Sequence, residues 1–244
     1  MISRVKLDYI NRLFDECLSE DGEALELQGK FIGDEGMEAL IHVERPLEEV
    51  TDLDLTRNKV SKKGVPFLAQ SSRFPKLKRL FIGENNIGDE GAIALSQAPF
   101  IPNLTNLDLR FNSIGEEGGM ALAEAPFKKL QILILQDNPT GNESLKIMAK
   151  HPGFAHVKKL NIYRTNVTDD GIKVLAKSKV FKKLKYLNLA RNILRYGAAQ
   201  ALANTKTLTE IETLLMFDTF IGDKGVDALL NSPSLSKLKT LRLT

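Results

Sequence analysis

Four pairs of neighbouring acidic residues are the first candidates for chemistry, because paired carboxylates can perform general acid–base catalysis or bind calcium. The pairs are Asp34-Glu35, Asp89-Glu90, Glu116-Glu117 and Asp169-Asp170. Each pair is predicted to lie in the first turn of a helix, where the helix dipole favours negative charge. Lys62-Lys63 occupies the corresponding position in another segment and interrupts the series. The pairs are therefore expected to stabilise helices, and they do not predict a catalytic or calcium site.

Other catalytic and metal-binding signals are weak. The sequence contains no G-x-x-x-x-G-K-[ST], G-x-G-x-x-G, G-x-S-x-G or H-E-x-x-H pattern. The three histidines have no cysteine or cluster of carboxylates beside them. Cys17, the single cysteine, is predicted to be a small residue of a hydrophobic cap. The sequence thus predicts a protein that is not an enzyme and that uses no metal or cofactor.

The composition is that of a folded chain with a sizeable core. Of 244 residues, 43% are hydrophobic and 27% are charged, and the net charge of +3 is far from that of a typical nucleic-acid-binding domain. The first twenty residues mix charges among apolar positions, unlike a signal peptide, and no uncharged apolar run reaches the roughly 18 residues of a membrane span. With one cysteine, no internal disulfide is expected. These features predict a cytoplasmic protein.

A segment of about 27 residues recurs along nearly the whole chain, which indicates stacked supersecondary units. The repeat reads L-x-x-L-x-L-x-x-N-x-I-G-x-x-G-x-x-x-L. Its asparagine position falls at Lys30, Asn58, Asn85, Asn112, Asn138, Thr165, Asn192 and Thr219. The L-x-L alternation predicts a short strand with its leucines on one face. The glycine–acid segment predicts the start of a helix whose apolar positions share one face.

This motif resembles that of the leucine-rich repeat family, and in particular its ribonuclease-inhibitor-like branch, in which each repeat carries a full helix. The similarity covers roughly residues 22–244, with Lys30, Thr165 and Thr219 as departures in the asparagine position. It implies an α/β fold, a curved solenoid or horseshoe with a parallel β-sheet on the concave face and α-helices on the convex face. Strands about 4.8 Å apart beside helices about 10 Å wide would produce that curve. The asparagine is expected to bond backbone groups at the corner after each strand.

The two ends of the chain depart from the regular repeat. Residues 1–21 have apolar residues at helical spacing and are predicted to form an N-terminal capping helix. Residues 22–244 are predicted to form a single array of about eight repeats with a terminal strand, which includes Leu241 and Leu243. The outer edge of that strand would be unpaired. This edge suggests either a longer natural chain or contact with another molecule, such as a second copy.

The concave face carries the main prediction about function. Residues between and just after the strand leucines are expected to point into the hollow. Several are aromatic, aliphatic or arginine, and aromatic residues and arginine are enriched at interface hot spots. The predicted partner-binding residues are Phe81, Arg110, Phe111, Ile132, Ile134, Tyr163, Arg164, Tyr186, Arg191, Leu215 and Phe217. Singly exposed apolar residues are also normal on protein surfaces, but Ile132 and Ile134 point the same way from one strand.

Three functions are compatible with these features. The main hypothesis is a noncatalytic scaffold that binds another protein or a peptide on its concave face. The second is binding of an acidic surface or polyanion by a basic rim before the strands; nucleic acid is not favoured, because this rim lacks aromatic residues for stacking. The rim comprises Lys76, Lys78, Arg79, Lys128, Lys129, Lys158, Lys159, Lys182, Lys183, Lys185, Lys237 and Lys239. The third, implied only by the fold branch, is GTPase activation as in Ran GTPase-activating proteins, whose acidic carboxyl tail this sequence lacks.

Overall fold

The computed structural model describes residues 2–243, in which short strands alternate with helices. The strands are β1 (Ala24–Glu26), β2 (Asp52–Asp54), β3 (Arg79–Phe81), β4 (Asn106–Asp108), β5 (Ile132–Ile134), β6 (Lys159–Asn161), β7 (Tyr186–Asn188), β8 (Thr213–Leu215) and β9 (Thr240–Arg242). The helices are α1 (Arg4–Cys17), α2 (Gly33–His42), α3 (Val65–Ala69), α4 (Gly88–Ser96), α5 (Glu116–Glu124), α6 (Gly141–Met148), α7 (Asp169–Leu175), α8 (Tyr196–Ala203) and α9 (Gly222–Leu230).

The strands of residues 2–243 form one parallel sheet in chain order, from β1 to β9. The central leucine of each strand pairs with the central leucine of the next, from Leu25 with Leu53 to Leu214 with Leu241. This register aligns the leucines on the helix side of the sheet. Because helices need more width than strands, the stack curves with the sheet on the inside. The predicted α/β solenoid, with a concave parallel sheet and convex helices, is confirmed.

The core lies between the sheet and the helices. The strand leucines from β1 to β8, the corner isoleucines and the helix leucines of the motif are buried, as the repeat pattern predicts, whereas Leu241 of β9 is partly buried. A further set of buried side chains lies in the segments that lead from helix to strand: Phe74, Phe100, Phe127, Phe154 and Phe181. The ring centroids of Phe127 and Phe154 are 5.7 Å apart, and those of Phe154 and Phe181 are 6.0 Å apart. Phe127, Phe154 and Phe181 thus form an aromatic column that joins neighbouring repeats within the core, and this column was not among the sequence predictions.

The motif asparagine bonds backbone groups at the strand corner, as expected. Asn138 is fully buried. Its Oδ1 accepts hydrogen bonds from the backbone N–H groups of Asn112 and Ile114, both at 3.0 Å. Its Nδ2 donates to the carbonyl oxygens of Leu109 at 2.8 Å and Leu135 at 3.1 Å. The side chain therefore ties one repeat to the repeat before it, and Asn58, Asn85 and Asn192 make similar bonds.

Two kinds of helix start occur in the array. Four helices begin at a glycine with a positive φ between 60° and 72°, namely Gly33, Gly88, Gly141 and Gly222. At other helix starts, a side chain from the helix of the preceding repeat accepts hydrogen bonds from backbone N–H groups. Asp89 Oδ1 accepts hydrogen bonds from the backbone N–H groups of Gly115 at 2.7 Å and Gly118 at 2.9 Å, at the start of α5.

The same bridging recurs elsewhere in the array. Asp34 Oδ1 accepts from the N–H of Ser61 at 2.7 Å, and Asp169 Oδ1 accepts from the N–H of Arg195 at 2.7 Å. The acidic pairs do lie in the first turns of their own helices, as predicted. Several of these first-turn acids also cap the following helix, which the sequence interpretation did not anticipate.

Helix α1 covers the first repeat. Its side chains Ile10, Leu13 and Phe14 are buried in the common core. The hydroxyl of Tyr9 donates a 2.7 Å hydrogen bond to the carbonyl oxygen of Lys30. These contacts support the proposal that residues 1–21 act as a cap on a single array that covers residues 22–244. Met1 and Thr244, the outermost positions of that division, lie outside the described residues.

Candidate functional site: the concave sheet face

The predicted partner-binding residues fall into rows that run across the sheet. Strand residues beside the central leucines are Phe81, Ile132, Ile134, Tyr186 and Leu215. Residues two positions after a strand are Arg110, Tyr163 and Phe217. All eight are half-buried, because their neighbours on adjacent strands cover part of each side chain. The remaining three, Phe111, Arg164 and Arg191, are exposed.

Phe111, Arg164 and Arg191 belong to a row of residues, the third after each strand from β2 to β8, that has an unusual backbone conformation. Its members have φ between 51° and 59°, and they are Arg57, Glu84, Phe111, Asp137, Arg164, Arg191 and Asp218. A residue other than glycine costs roughly 1–2 kcal/mol in this left-handed region. Each of these residues directly precedes the asparagine position of the repeat. Where that position is asparagine, its side-chain hydrogen bonds hold the backbone of the corner in this conformation. Phe111, Arg164 and Arg191 therefore stand at the edge of the concave face, where the strands end, and not on its floor.

An aromatic cluster occupies the carboxyl-terminal half of the concave face. The ring centroids of Tyr163 and Phe217 are 6.2 Å apart. The guanidinium group of Arg191 lies 5.7 Å from the centroid of the Tyr163 ring, and that of Arg242 lies 4.8 Å from the Phe217 centroid. The two rings lie two positions after β6 and β8, and they meet because the equivalent residue after β7, Ala190, is small and buried. We use "aromatic cluster" below for Tyr163, Phe217, Arg191 and Arg242.

Tyr186 and Ile132 lie on the opposite edge of the same half of the sheet. Lys159 Nζ is 4.9 Å from the centroid of the Tyr186 ring, which is a favourable cation–π geometry. Burial raises the pKa of the Tyr186 hydroxyl above its usual value. Ile132 is paired in register with Lys159 on the neighbouring strand. Lys159 therefore lies between Ile132 and Tyr186 in this row and separates the two apolar side chains.

A buried acid separates two of the predicted apolar residues. Asp108 lies between Phe81 and Ile134 in the sheet register and is 3% exposed. Its Oδ1 accepts a 3.1 Å hydrogen bond from the Arg110 backbone N–H, and its Oδ2 lies 3.4 Å from Arg110 Nη2. Burial raises the pKa of the Asp108 carboxyl, and the adjacent Arg110 groups offset part of that effect. Arg110 is thus held against the sheet by an internal partner.

Phe111 and Arg164 line a different groove. It has a volume of about 340 Å³ and lies at the carboxyl ends of β4 to β6, with Asp137, Pro139 and Asn166 as its other walls. Arg164 Nη1 is 3.1 Å from Asp137 Oδ1. The groove is more polar than the aromatic cluster, because an ion pair forms one of its walls.

The eleven predicted residues therefore form separate groups and not one continuous patch. In the central row, Asn161 and Asn188 lie between Ile134 and Leu215. Sequence reasoning missed Arg242 and Ala190, both of which shape the aromatic cluster. Arg242 could have been found from its position between Leu241 and Leu243, which repeats the L-x-L pattern of the earlier strands.

Some cations of the basic rim are paired with acids of neighbouring repeats. Lys76 lies 2.6 Å from Glu49, and Lys237 lies 2.6 Å from Glu210. Glu212 lies 2.7 Å from Lys185 and 2.6 Å from Lys239, whose hydrogen bonds lower its pKa to about 2. Several rim cations are thus neutralised by neighbouring repeats. Five lysines in the middle of the rim have no carboxylate of residues 2–243 within 4.0 Å: Lys128, Lys129, Lys158, Lys182 and Lys183.

Within residues 2–243, no group of three or more His, Cys, Asp and Glu side chains is arranged to hold a metal ion. In the same stretch of chain, no helix combines the length and the apolar character needed to cross a membrane.

The fold and the comparisons with known proteins agree on the class of protein. A family model described as a leucine-rich repeat matches residues 75–96 and residues 101–123. The first match covers β3 and α4, and the second covers β4 and nearly all of α5. With the nine-stranded parallel sheet, these matches support a leucine-rich repeat protein. Such proteins typically act as noncatalytic scaffolds in protein–protein interaction. Comparison with curated proteins finds no match.

Proposed function

We propose that this protein is a noncatalytic scaffold that binds another protein on its concave sheet face, through the aromatic cluster. The contact of Tyr163 with Phe217, with an arginine over each ring, carries this proposal. Tyrosine and arginine dominate the binding energy of many interfaces, where they occupy well-packed central positions. Ile132, Ile134 and Tyr186 are further half-buried apolar or aromatic side chains on the same face.

The cluster is prepared for binding before a partner arrives. Arg191 donates a 3.0 Å hydrogen bond from Nε to Asp218, which limits the freedom of its side chain. The rings contact each other and stand on a parallel sheet, so that little rotamer entropy remains to be lost on binding. Around the rings, Arg164 pairs with Asp137 and Arg191 with Asp218, and Arg242 over the Phe217 ring adds a further cation. The cluster therefore favours a protein segment that combines apolar side chains with carboxylates.

Two finer assignments belong to the same proposal. The alternation of one helix with each strand supports the ribonuclease-inhibitor-like branch of the family. Self-association through the outer edge of β9 is a separate possibility for the partner, since within residues 2–243 only β8 pairs with that strand.

The experiment compares two double variants with the wild type. Tyr163→Ala with Phe217→Ala removes both rings of the cluster, whereas Tyr196→Ala with Phe220→Ala removes two exposed aromatic side chains outside the strand rows. A protein captured from the source cells by the wild type is purified, and its affinity for all three forms is measured by calorimetry. We expect the cluster variant to lose about 2 kcal/mol of binding free energy or more, as hot-spot residues do, and the control to lose little.

Thermal unfolding of both variants, followed by circular dichroism, establishes that they fold. Equal affinities of the wild type and the cluster variant for the purified partner would refute the concave site. A loss confined to the Tyr196 and Phe220 variant would move the site to the edge of the array.

A further inference from the structure

Charge is unevenly distributed along the chain. Residues 128–208 contain sixteen lysines and arginines and four acidic residues, a formal net charge of +12. Residues 1–127 contain fourteen basic and twenty-two acidic residues, a formal net charge of −8. The basic stretch contains α6, α7 and α8, which lie side by side on the convex face. The net charge of +3 for the whole sequence conceals this difference in charge between the two segments.

Few of the cations on this part of the convex face are neutralised. Lys146 pairs with Glu143 at 2.6 Å, and Lys173 lies 3.5 Å from Asp170. Other lysines of these helices and their following turns are exposed, with no carboxylate from residues 2–243 within 4.0 Å. They are Lys150, Lys177, Lys179 and Lys206. An unneutralised cluster of this kind attracts a negatively charged partner.

Two apolar grooves lie among these lysines. The groove between α7 and α8 has a volume of about 490 Å³, and small residues line it: Ala176, Gly197 and Ala201. The groove between α6 and α7 has a volume of about 500 Å³ and includes Ala149, Val174 and Val180. Both volumes fall in the range of about 300–1,000 Å³ that is usual for ligand sites. Lys173 and Lys177 line both grooves and so lie on the ridge between them.

We propose that this convex surface binds an acidic amphipathic helix of a partner protein. Neighbouring helices lie about 10 Å apart, and residues seven positions apart on a helix are separated by about 10.5 Å. A helix that crosses α7 can therefore place one bulky apolar side chain in each groove. Carboxylates between those two positions face Lys173 and Lys177.

Two alternatives fit these observations less well. Strand addition is disfavoured, because helices present no free row of backbone donors and acceptors. A nucleic acid would use the lysines but not the apolar floors, and the groove linings contain no aromatic side chain on which a base could stack. The surface lies on the opposite side of the sheet from the aromatic cluster, so that its occupation is independent of the concave site.

The test uses a fluorescein-labelled synthetic peptide of about 18 residues, or five helical turns. The peptide consists of alanine, glutamate and leucine, with leucines seven positions apart on one face and glutamates between them on that face. Fluorescence anisotropy measures its binding to the full-length protein at about 50 and 300 mM salt. A scrambled peptide of identical composition and a single-stranded oligothymidylate serve as comparison ligands.

Three variants distinguish binding in the groove from general electrostatic attraction of the peptide. Ala201→Trp fills the α7–α8 groove without a change of charge, and Lys177→Glu reverses the charge on the ridge. Lys128→Glu is the matched control, since it makes the same charge change on the rim. We expect the first two variants to weaken binding of the amphipathic peptide about tenfold or more, and the control less than about twofold. Circular dichroism shows whether each variant is folded, and the exposed Lys177 position keeps the test valid if the tryptophan is not tolerated.

Tighter binding of the amphipathic peptide than of the scrambled peptide, lost in Lys177→Glu, supports the proposal. Equal binding of the two peptides, or tighter binding of the oligothymidylate, would overturn it in favour of general polyanion attraction. No detectable binding of the amphipathic peptide at low salt would also overturn it.

Discussion

Replacement of Asp89 by alanine tests how one repeat stabilises the next. Asp89 lies in the first turn of α4, but its Oδ1 accepts the backbone N–H groups of Gly115 and Gly118 at the start of α5. Loss of its interaction with its own helix dipole would cost about 0.3–1 kcal/mol. Loss of a side-chain cap costs about 0.5–2 kcal/mol more. Because the side chain is half-buried and its bonds are charge-assisted, we expect the free energy of unfolding to fall by about 2 kcal/mol.

Asp223 provides a matched control within the same chain. It occupies the equivalent position in the first turn of α9 and is exposed. Within the described array, no later helix follows α9, so that Asp223→Ala removes the dipole interaction without a cross-repeat cap. Both substitutions also remove one negative charge. We expect Asp223→Ala to cost less than about 1 kcal/mol.

Urea unfolding followed by circular dichroism measures the stability of both variants. Because repeat arrays can unfold in parts, hydrogen exchange at the Gly118 amide provides a local measurement. Exchange there should be faster in Asp89→Ala and unchanged in Asp223→Ala. If the two variants lose equal stability and Gly118 keeps its protection, Asp89 acts only on its own helix and the cross-repeat explanation is wrong.

Two further predictions concern buried polar groups. Asn138→Ala leaves the buried amides of Asn112 and Ile114 without acceptors, and each unpaired amide costs about 1–3 kcal/mol. Urea unfolding should therefore show that the free energy of unfolding falls by about 3–5 kcal/mol. The control Asn86→Ala, at an exposed position, should change stability by less than about 0.5 kcal/mol, and equal losses in the two variants would contradict the role of Asn138. Burial raises the pKa of the Asp108 carboxyl above its ordinary value of 3.8, so that the folded state binds this proton more tightly than the unfolded state does. The stability of the wild type therefore falls as the pH rises from 3.8 through the pKa of the folded state. Asp108→Asn should therefore gain stability over the wild type across that window and then level off, and a difference independent of pH in urea titrations would refute this.

The architecture could be predicted because its signals are short and repeated. The spacing of leucine, asparagine and glycine is visible in most repeats, and each signal depends on local geometry: strand alternation, a corner and a helix start. The burial of Leu107 and Ile114 and the bonds of Asn138 follow directly from that pattern. The candidate site was predictable only in part. The residues that face the hollow follow from strand alternation, but their grouping does not.

Contacts between repeats depend on the sizes and charges of residues about 27 positions apart, which the tertiary structure alone brings together. Tyr163 meets Phe217 because Ala190 between them is small. Charges that looked like a continuous rim are cancelled where an acid of the preceding or following repeat lies opposite, as with Glu212. By itself, the sequence determined the repeat, the strand and helix order and the face of each strand residue, because those follow from local periodicity. The stacked structure decided which side chains touch, because packing across repeats sets those distances.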